Sequence, residues 1–393
     1  MRVAVPILLS IGIGLPCASQ SVATAPVCAW IAASSPRSAH ARLADLARRY
    51  LAGDTQATVA TVATWEKGTL ESEVTLLLSS KEAAANGHDA SLRAAALVIT
   101  EAAGRDLSAN RLAAARWKLE SAADLVDAET DPGTALFARR FYLLSGLALH
   151  AVADVGAASA MLTRGLHRFD GDPELQVAMG SLVETIASLR RYDDGPQDRP
   201  VPAAHTGVSP EIAWLQQKVA EAAANDCFSI EGVRRSSRCL DSQTLEAAEA
   251  RYSAALKVQP GLLEAHLRLG HVRLLRGKVR DALHEVGVVV AQSSDPFQRH
   301  LAYLFEGAAR EELGDFEGAS SAYEAATREA PQAQSALIAL GRACNHIGED
   351  ARAQAAFGRA LQASSASNPW WLYLHGQPRR MEGLIVELRG LAR

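Results

Sequence analysis

A repeated spacing of small, large and helix-breaking residues constrains this chain more than any other feature. One copy runs from Tyr303 to Pro331, and much of it recurs 34 residues later. The first copy contains Tyr303, Gly307, Arg310, Gly314, Phe316, Ala319, Tyr323, Ala326 and Pro331, and the second contains Leu337, Gly341, Cys344, Gly348, Ala353, Phe357 and Ala360. Small and large residues at three- and four-residue steps, around a central glycine, predict two antiparallel helices in each copy.

Further copies extend the pattern towards the amino terminus. The second-helix spacing returns at Ala248, Tyr252, Ala255 and Pro260 and, in degraded form, at Ala282, Val286 and Val289. Gly180 follows Gly146 by the same 34 residues, which predicts at least one earlier unit. Residues 39–65 and 92–128 are predicted to form irregular helical hairpins.

This pattern resembles the tetratricopeptide repeat (TPR) family. The resemblance implies an all-α fold, an α-solenoid of stacked antiparallel helix pairs, here capped by a carboxy-terminal helix. It also implies a binding scaffold rather than a catalyst. Composition agrees with the fold, because Ala, Leu and Glu dominate and aromatic residues are only 5%. The net charge of −4 offers no basic field for phosphates, so we expect no nucleic-acid partner.

The first 25 residues have the pattern of a secretory signal peptide. Arg2 precedes an apolar run from Val3 to Leu15, and small residues follow. Cleavage is expected after Ser19 or Ala23. We therefore expect an exported protein, periplasmic or extracellular, and no later stretch of the mature chain is apolar enough to predict a membrane span.

Two cysteines, Cys227 and Cys239, bound a segment without repeat character. In an exported protein a disulfide between them is favoured, and two free thiols are the alternative. Cys344 occupies a helix-contact position, where a small core residue is expected. The cysteine and histidine spacings predict no metal site, and no cofactor is expected.

The chain divides into five predicted segments. After the signal peptide come an irregular array over 26–190, a Pro-rich linker over 191–209, a regular array over 210–367 and an aromatic segment with a capping helix over 368–393. The regular array contains the cysteine-bounded insertion, 226–242, as a loop between a helix at Pro210–Asn225 and its partner at Leu245–Val258. Trp370 and Trp371 are expected to help cap the last repeat or, alternatively, to dock a partner.

No catalytic constellation has convincing spacing, so no catalytic residue is predicted. By the TPR resemblance, the first helix of each pair lines a concave groove that receives a peptide or protein. The projected groove residues are Leu267, His271, Leu304, Ala308, Glu311, Ile338, Arg342 and Asn345. Arg342 and Asn345 could hold a carboxylate or backbone group; alternatively, all these residues only pack or meet water.

Two functions follow from these features. The first is an exported, non-catalytic scaffold that binds a peptide or protein partner in its groove. The alternative is a structural component of an envelope assembly that packs through its outer face and its carboxy-terminal aromatics, with self-association as one form.

Overall fold

The chain is helical throughout the part that the structure describes. A computed structural model covers residues 42–79, 88–129, 132–193, 233–363, 369, 373 and 378–392, and these ranges contain no strand. The helices are α1 (Arg42–Leu51), α2 (Thr55–Ala63), α3 (Lys67–Ser79), α4 (His88–Ser108), α5 (Leu112–Asp127), α6 (Ala135–Ala151), α7 (Val155–Arg168), α8 (Pro173–Asp193), α9 (Val233–Val258), α10 (Leu263–Leu275), α11 (Val279–Gln292), α12 (Pro296–Glu312), α13 (Phe316–Glu329), α14 (Gln334–His346), α15 (Asp350–Gln362) and α16 (Pro378–Leu391).

Most of these helices pack as antiparallel pairs. The pairs are α4 with α5, α6 with α7, α8 with α9, α10 with α11, α12 with α13, and α14 with α15. First helices of successive pairs also touch, α4 with α6, α6 with α8, α8 with α10, and α10 with α12. The all-α fold of stacked helix pairs predicted from the repeat, TPR-like in kind, is therefore confirmed. We call the surface formed by α4, α6, α8, α10, α12 and α14 the first-helix face.

A glycine of the first helix meets a large side chain of the second in five of these pairs. A Cβ atom added at Gly307 would lie 2.4 Å from Tyr323 Cε1, closer than real Cβ contacts come. Equivalent approaches join Gly146 to Leu162, Gly180 to Tyr252, Gly270 to Val286 and Gly341 to Phe357. The glycines of the repeat are therefore required for close approach of two helices, and the large residues fill the space they leave.

The turn inside each pair also has a recurrent design. Gly314 has φ +77° between α12 and α13, and the next residue, Asp315, accepts a hydrogen bond from the Gly318 amide to cap α13. In the less regular half of the array, Ala153 takes the same left-handed conformation with φ +60° before α7. The turn geometry persists where the sequence signal has faded.

The segment between α8 and α9 lies inside one repeat. The described partner of α9 is α8, with Gly180 against Tyr252, whereas the sequence analysis paired Leu245–Val258 with Pro210–Asn225. Helix α8 continues to Asp193, and α9 begins at Val233, ten residues before the end of the predicted insertion loop. Residues 41–393 form one compact unit, in which α8 and α9 pack together across the intervening sequence.

The carboxy-terminal helix does not cover the last repeat, as the cap prediction required. Helix α16 packs on α6, and its buried residues Leu384 and Leu388 belong to the hydrophobic core of helices α1–α8. The chain therefore returns from α15 to the early helices of the array. Two leucines at a four-residue step give α16 its buried stripe, which explains why this helix needs an apolar surface to rest on.

Several predictions concern residues outside those described. They are the signal peptide over 1–25, the linker beyond Asp193, the pairing of Cys227 with Cys239, and the packing of Trp370 and Trp371. Cys344, by contrast, is buried between α13 and α14, 3.5 Å from the Ser320 hydroxyl, as a small core residue should be.

Candidate functional site: the first-helix face

Tyr373, from the carboxy-terminal segment, is buried against the first-helix face. Its ring centroid lies 5.3 Å from that of His271 and 5.5 Å from that of Phe305, both edge-on. The rings of His271 and Phe305 are themselves stacked at 4.5 Å. Only 1% of Tyr373 is exposed to solvent. We refer to Glu184, Arg268, His271 and Phe305, which surround this ring, as the Tyr373 site.

Glu184 of α8 is the polar centre of the site. Its Oε1 accepts a hydrogen bond of 2.5 Å from the Tyr373 phenol, and its Oε2 accepts one of 2.6 Å from the Tyr252 phenol. His271 Nδ1 also lies 2.5 Å from Oε1, and because a carboxylate only accepts, this nitrogen carries the proton. A carboxylate that is 1% exposed is thus held by three donors.

Arg268 of α10 fixes the backbone of the docked segment as well as its side chain. Its Nη2 donates to the Tyr373 carbonyl at 3.0 Å, and its guanidinium carbon lies 4.4 Å from the Tyr373 ring centroid. Its Nε donates to Glu264 at 2.6 Å. One guanidinium therefore combines a main-chain hydrogen bond with a cation–π contact, which sets both the position and the orientation of the tyrosine.

The ionised state of this cluster is stabilised by its own contacts. Burial alone would raise the pKa of Glu184, but hydrogen bonding from His271, together with the charges of His271 and Arg268, holds that pKa below its ordinary value. Burial, followed by the nearby Glu184 charge, raises the pKa of Tyr373 well above its ordinary value. Glu184 therefore acts as an anionic acceptor and Tyr373 as a neutral donor.

Helix α16 continues the docked segment along the same face. Arg389 Nε lies 2.7 Å from Glu101 Oε1 on α4, and Glu387 lies 2.8 Å from Arg140 Nε on α6. Leu384 and Leu388 are buried between these ion pairs. Apolar contacts thus supply the area, and the ion pairs fix the register of α16 on the face.

A cavity remains beside the docked helix. It measures about 480 Å³ and lies between α4, α6 and α16, with Leu107, Leu144, Val152, Met381 and Ile385 among its walls. Well-packed interiors contain few voids larger than a water molecule. The contact between α16 and the face is therefore incompletely filled.

The predicted groove residues fall into two groups. Leu267 and His271 are buried; Leu267 packs in the same cluster as Tyr373, and His271 lies directly against it. They are covered by the carboxy-terminal segment rather than open to solvent. Leu304 and Ala308 are half-buried, whereas Ile338, Arg342 and Asn345 are exposed. The accessible part of the predicted groove therefore lies on α12 and α14.

Arg342 and Glu311 form a second polar centre on that accessible part. Arg342 Nη2 contacts Glu311 Oε2, and the Tyr323 phenol donates to the same oxygen at 2.9 Å. The sequence analysis left Arg342 available for a ligand's carboxylate, but its side chain already has an acidic partner within the chain. We call Glu311, Tyr323 and Arg342 the Glu311 site.

Sequence reasoning missed the residues that make the Tyr373 site. Glu184, Arg268 and Phe305 did not stand out, and Tyr373 was assigned to a cap. One available signal was the register of Glu184, which follows Gly180 by four residues as Glu311 follows Gly307. In the described ranges, no group of three or more histidine, cysteine or acidic residues is arranged to hold a metal ion. Nor does any helix described here combine the length and apolar character required to cross a membrane.

Comparisons with known proteins give fold-level similarity only. No family model and no curated protein matches the chain. Among solved structures, it is similar to MamA from Desulfovibrio magneticus RS-1, residues 41 to the end, at 16% identity and a TM-score of 0.37, over 57% of this chain and 94% of that one. A MamA RS-1 ArsTM double mutant matches at 17% identity and a TM-score of 0.38, over 60% and 96%.

Proposed function

We propose that this protein is an exported, non-catalytic scaffold of the TPR type that binds a segment of a partner protein on its first-helix face. The observation that carries the proposal is the burial of Tyr373 and α16 on that face. A surface that holds an aromatic side chain, a main-chain carbonyl and an amphipathic helix has the groups needed to hold a polypeptide segment. The signal-like leader supports export to the periplasm or the cell exterior.

In this proposal the carboxy-terminal segment is an exchangeable resident of the face. The cavity of about 480 Å³ beside α16 supports exchange, because an incompletely filled contact leaves a better-fitting segment more free energy to gain. The tethered segment also competes at a high effective concentration, on the millimolar scale for short flexible connections. A partner therefore binds only when its own contacts outweigh those of the resident.

The experiment is binding in trans of a labelled synthetic peptide of residues 364–393 to the full chain. The wild type is compared with Leu388→Asp, which weakens docking of the resident helix. Val386→Asp is the matched control, because Val386 is 63% exposed on the same helix. We expect Leu388→Asp to bind the peptide at least about tenfold more tightly than the wild type or the control, a difference of about 1.4 kcal/mol.

Two results would count against the proposal. Peptide binding by none of the three chains would show that the face does not accept a segment in trans. Concentration-dependent self-association of the wild type through exposed surfaces, with no peptide binding by any chain, would favour the alternative of an assembly component. Analytical ultracentrifugation of the same three proteins measures this directly.

A further inference from the structure

The array contains the same arrangement of three residues twice on its first-helix face. Glu184 follows Gly180 by four residues, and Glu311 follows Gly307 by four. Each of these glycines touches the tyrosine of its paired helix, Tyr252 or Tyr323. Each tyrosine then donates its phenol to the carboxylate of its own pair, at 2.6 Å to Glu184 and 2.9 Å to Glu311.

The third member comes from the next first helix in both cases. His271 directly follows Gly270 and contacts Glu184, and Arg342 directly follows Gly341 and contacts Glu311. The repeat register therefore places a carboxylate, a tyrosine and a nitrogen donor in equivalent positions. In the unit between them, the corresponding positions hold Leu274, Val286 and Ala308, so the polar arrangement is particular to these two places.

The two arrangements differ in one bond. Oε1 of Glu184 accepts the phenol of Tyr373. Oε1 of Glu311 is buried and has no hydrogen-bond partner. A buried acceptor without a donor is destabilising by about 1–3 kcal/mol, and by more when it is charged. The Glu311 site therefore has an unmet need for one donor, at the position that a tyrosine fills in the equivalent site.

We propose that the Glu311 site accepts a tyrosine side chain of a partner segment bound on the first-helix face. This inference rests on the proposed function and names the partner's chemistry: a segment that presents an unmodified tyrosine. Its phenol donates to Glu311 Oε1, and its ring covers apolar surface at Leu304 and at Ile338, which is 46% exposed.

Access to the carboxylate is controlled by one mobile side chain. Arg342 is 62% exposed and contacts only the other oxygen of Glu311, Oε2, among its described hydrogen bonds. A rotation of this long side chain opens Oε1 without moving the helices, the kind of rotamer change that is common on binding. An anionic ligand is disfavoured, because Glu311 already neutralises the guanidinium that would attract it.

The test is an NMR titration of the full-length mature chain with N-acetyl-tyrosinamide. N-acetyl-phenylalaninamide lacks the hydroxyl, and the phosphorylated tyrosine probe adds two negative charges. We expect saturable shifts confined to α12, α13 and α14 with the tyrosine probe, at least about tenfold weaker binding of the phenylalanine probe, and no site-specific binding of the phosphorylated one.

Variants of the chain locate the site. Glu311→Gln should weaken binding of the tyrosine probe about tenfold, because it replaces a charge-assisted hydrogen bond by a neutral one. Glu312→Gln, at the neighbouring exposed position, should leave binding unchanged. Circular dichroism melting confirms that both variants are folded, and the comparison of probes on the wild type needs no variant at all.

The inference is overturned by equal binding of the tyrosine and phenylalanine probes, by binding that Glu311→Gln leaves unchanged, or by the absence of binding. Each of these results leaves the proposed function standing if the 364–393 peptide still binds Leu388→Asp. Failure of that peptide experiment would instead remove the proposed function itself.

Discussion

The phenol of Tyr373 donates a hydrogen bond to Glu184, a residue 189 positions earlier in the chain. This contact joins the carboxy-terminal segment to the middle of the repeat array and buries both groups. A phenol and a carboxylate removed from water stabilise a structure only when they satisfy each other. The bond therefore ties the stability of the docked segment to the chemistry of the first-helix face.

Gly307→Ala should destabilise the protein, whereas Gly287→Ala should stabilise it. The new methyl group at position 307 would lie within 2.4 Å of the Tyr323 ring and must push α12 and α13 apart, at a cost of about 1–3 kcal/mol. Gly287 is exposed on α11, with nothing near its added methyl group, so alanine there should add about 0.5–1 kcal/mol through its higher helix propensity. Urea unfolding of the three proteins measures both effects; shifts of the same sign would contradict the register.

Leu388→Asp should release α16 from the array, and Val386→Asp should not. Leu388 is 1% exposed, so its replacement buries a carboxylate without a partner, an effect of about 3 kcal/mol or more. Val386 faces solvent on the same helix. Hydrogen exchange of residues 381–392 should accelerate only in the Leu388 variant, and equal protection in both variants would exclude this docking of α16.

Glu184→Gln should lose stability in a way that depends on pH. The folded-state pKa of Glu184 lies below its ordinary value, so the unfolded chain binds the proton more tightly. The ionised carboxylate thus contributes its full stability above about pH 4.3, the unfolded value, and loses it as the pH falls through the folded value.

The variant should therefore be less stable than the wild type by about 3–5 kcal/mol near pH 7, because it leaves Arg268 and its neighbours without their counter-charge. The difference should narrow as the pH falls below about 4.3. The exposed Glu312→Gln is the control. A difference that stays constant from pH 7 to pH 3 would show that the charge of Glu184 does not contribute.

The repeat units were predictable from sequence because their geometry is local. A glycine and a large residue at a fixed separation, as in Gly307 and Tyr323, are required by the contact of two helices joined by a short turn. Helix α3 was missed, although Leu70, Val74 and Leu77 repeat at helical steps and are buried. The pairing of α8 with α9 was missed because an insertion separates Gly180 from Tyr252.

The Tyr373 site could not be predicted in the same way. Its residues come from α8, α10, α12 and the carboxy-terminal segment, and no sequence spacing relates Tyr373 to Glu184. A tyrosine beside two tryptophans fits a cap and a docked segment equally well. Only the fold determines that the chain returns along the first-helix face, so the groove was predicted in place but not in occupancy.

The most direct test of this account is a double-mutant cycle between Tyr373 and Glu184. Tyr373→Phe, Glu184→Gln and the double variant are compared with the wild type by urea unfolding at pH 7. Because the cycle cancels the separate bond from Tyr252 to Glu184, it isolates the Tyr373 contact. We predict a coupling free energy of about 1–3 kcal/mol, as for a buried hydrogen bond to a charged group. Strict additivity of the two substitutions would mean that Tyr373 does not lie on the first-helix face in solution.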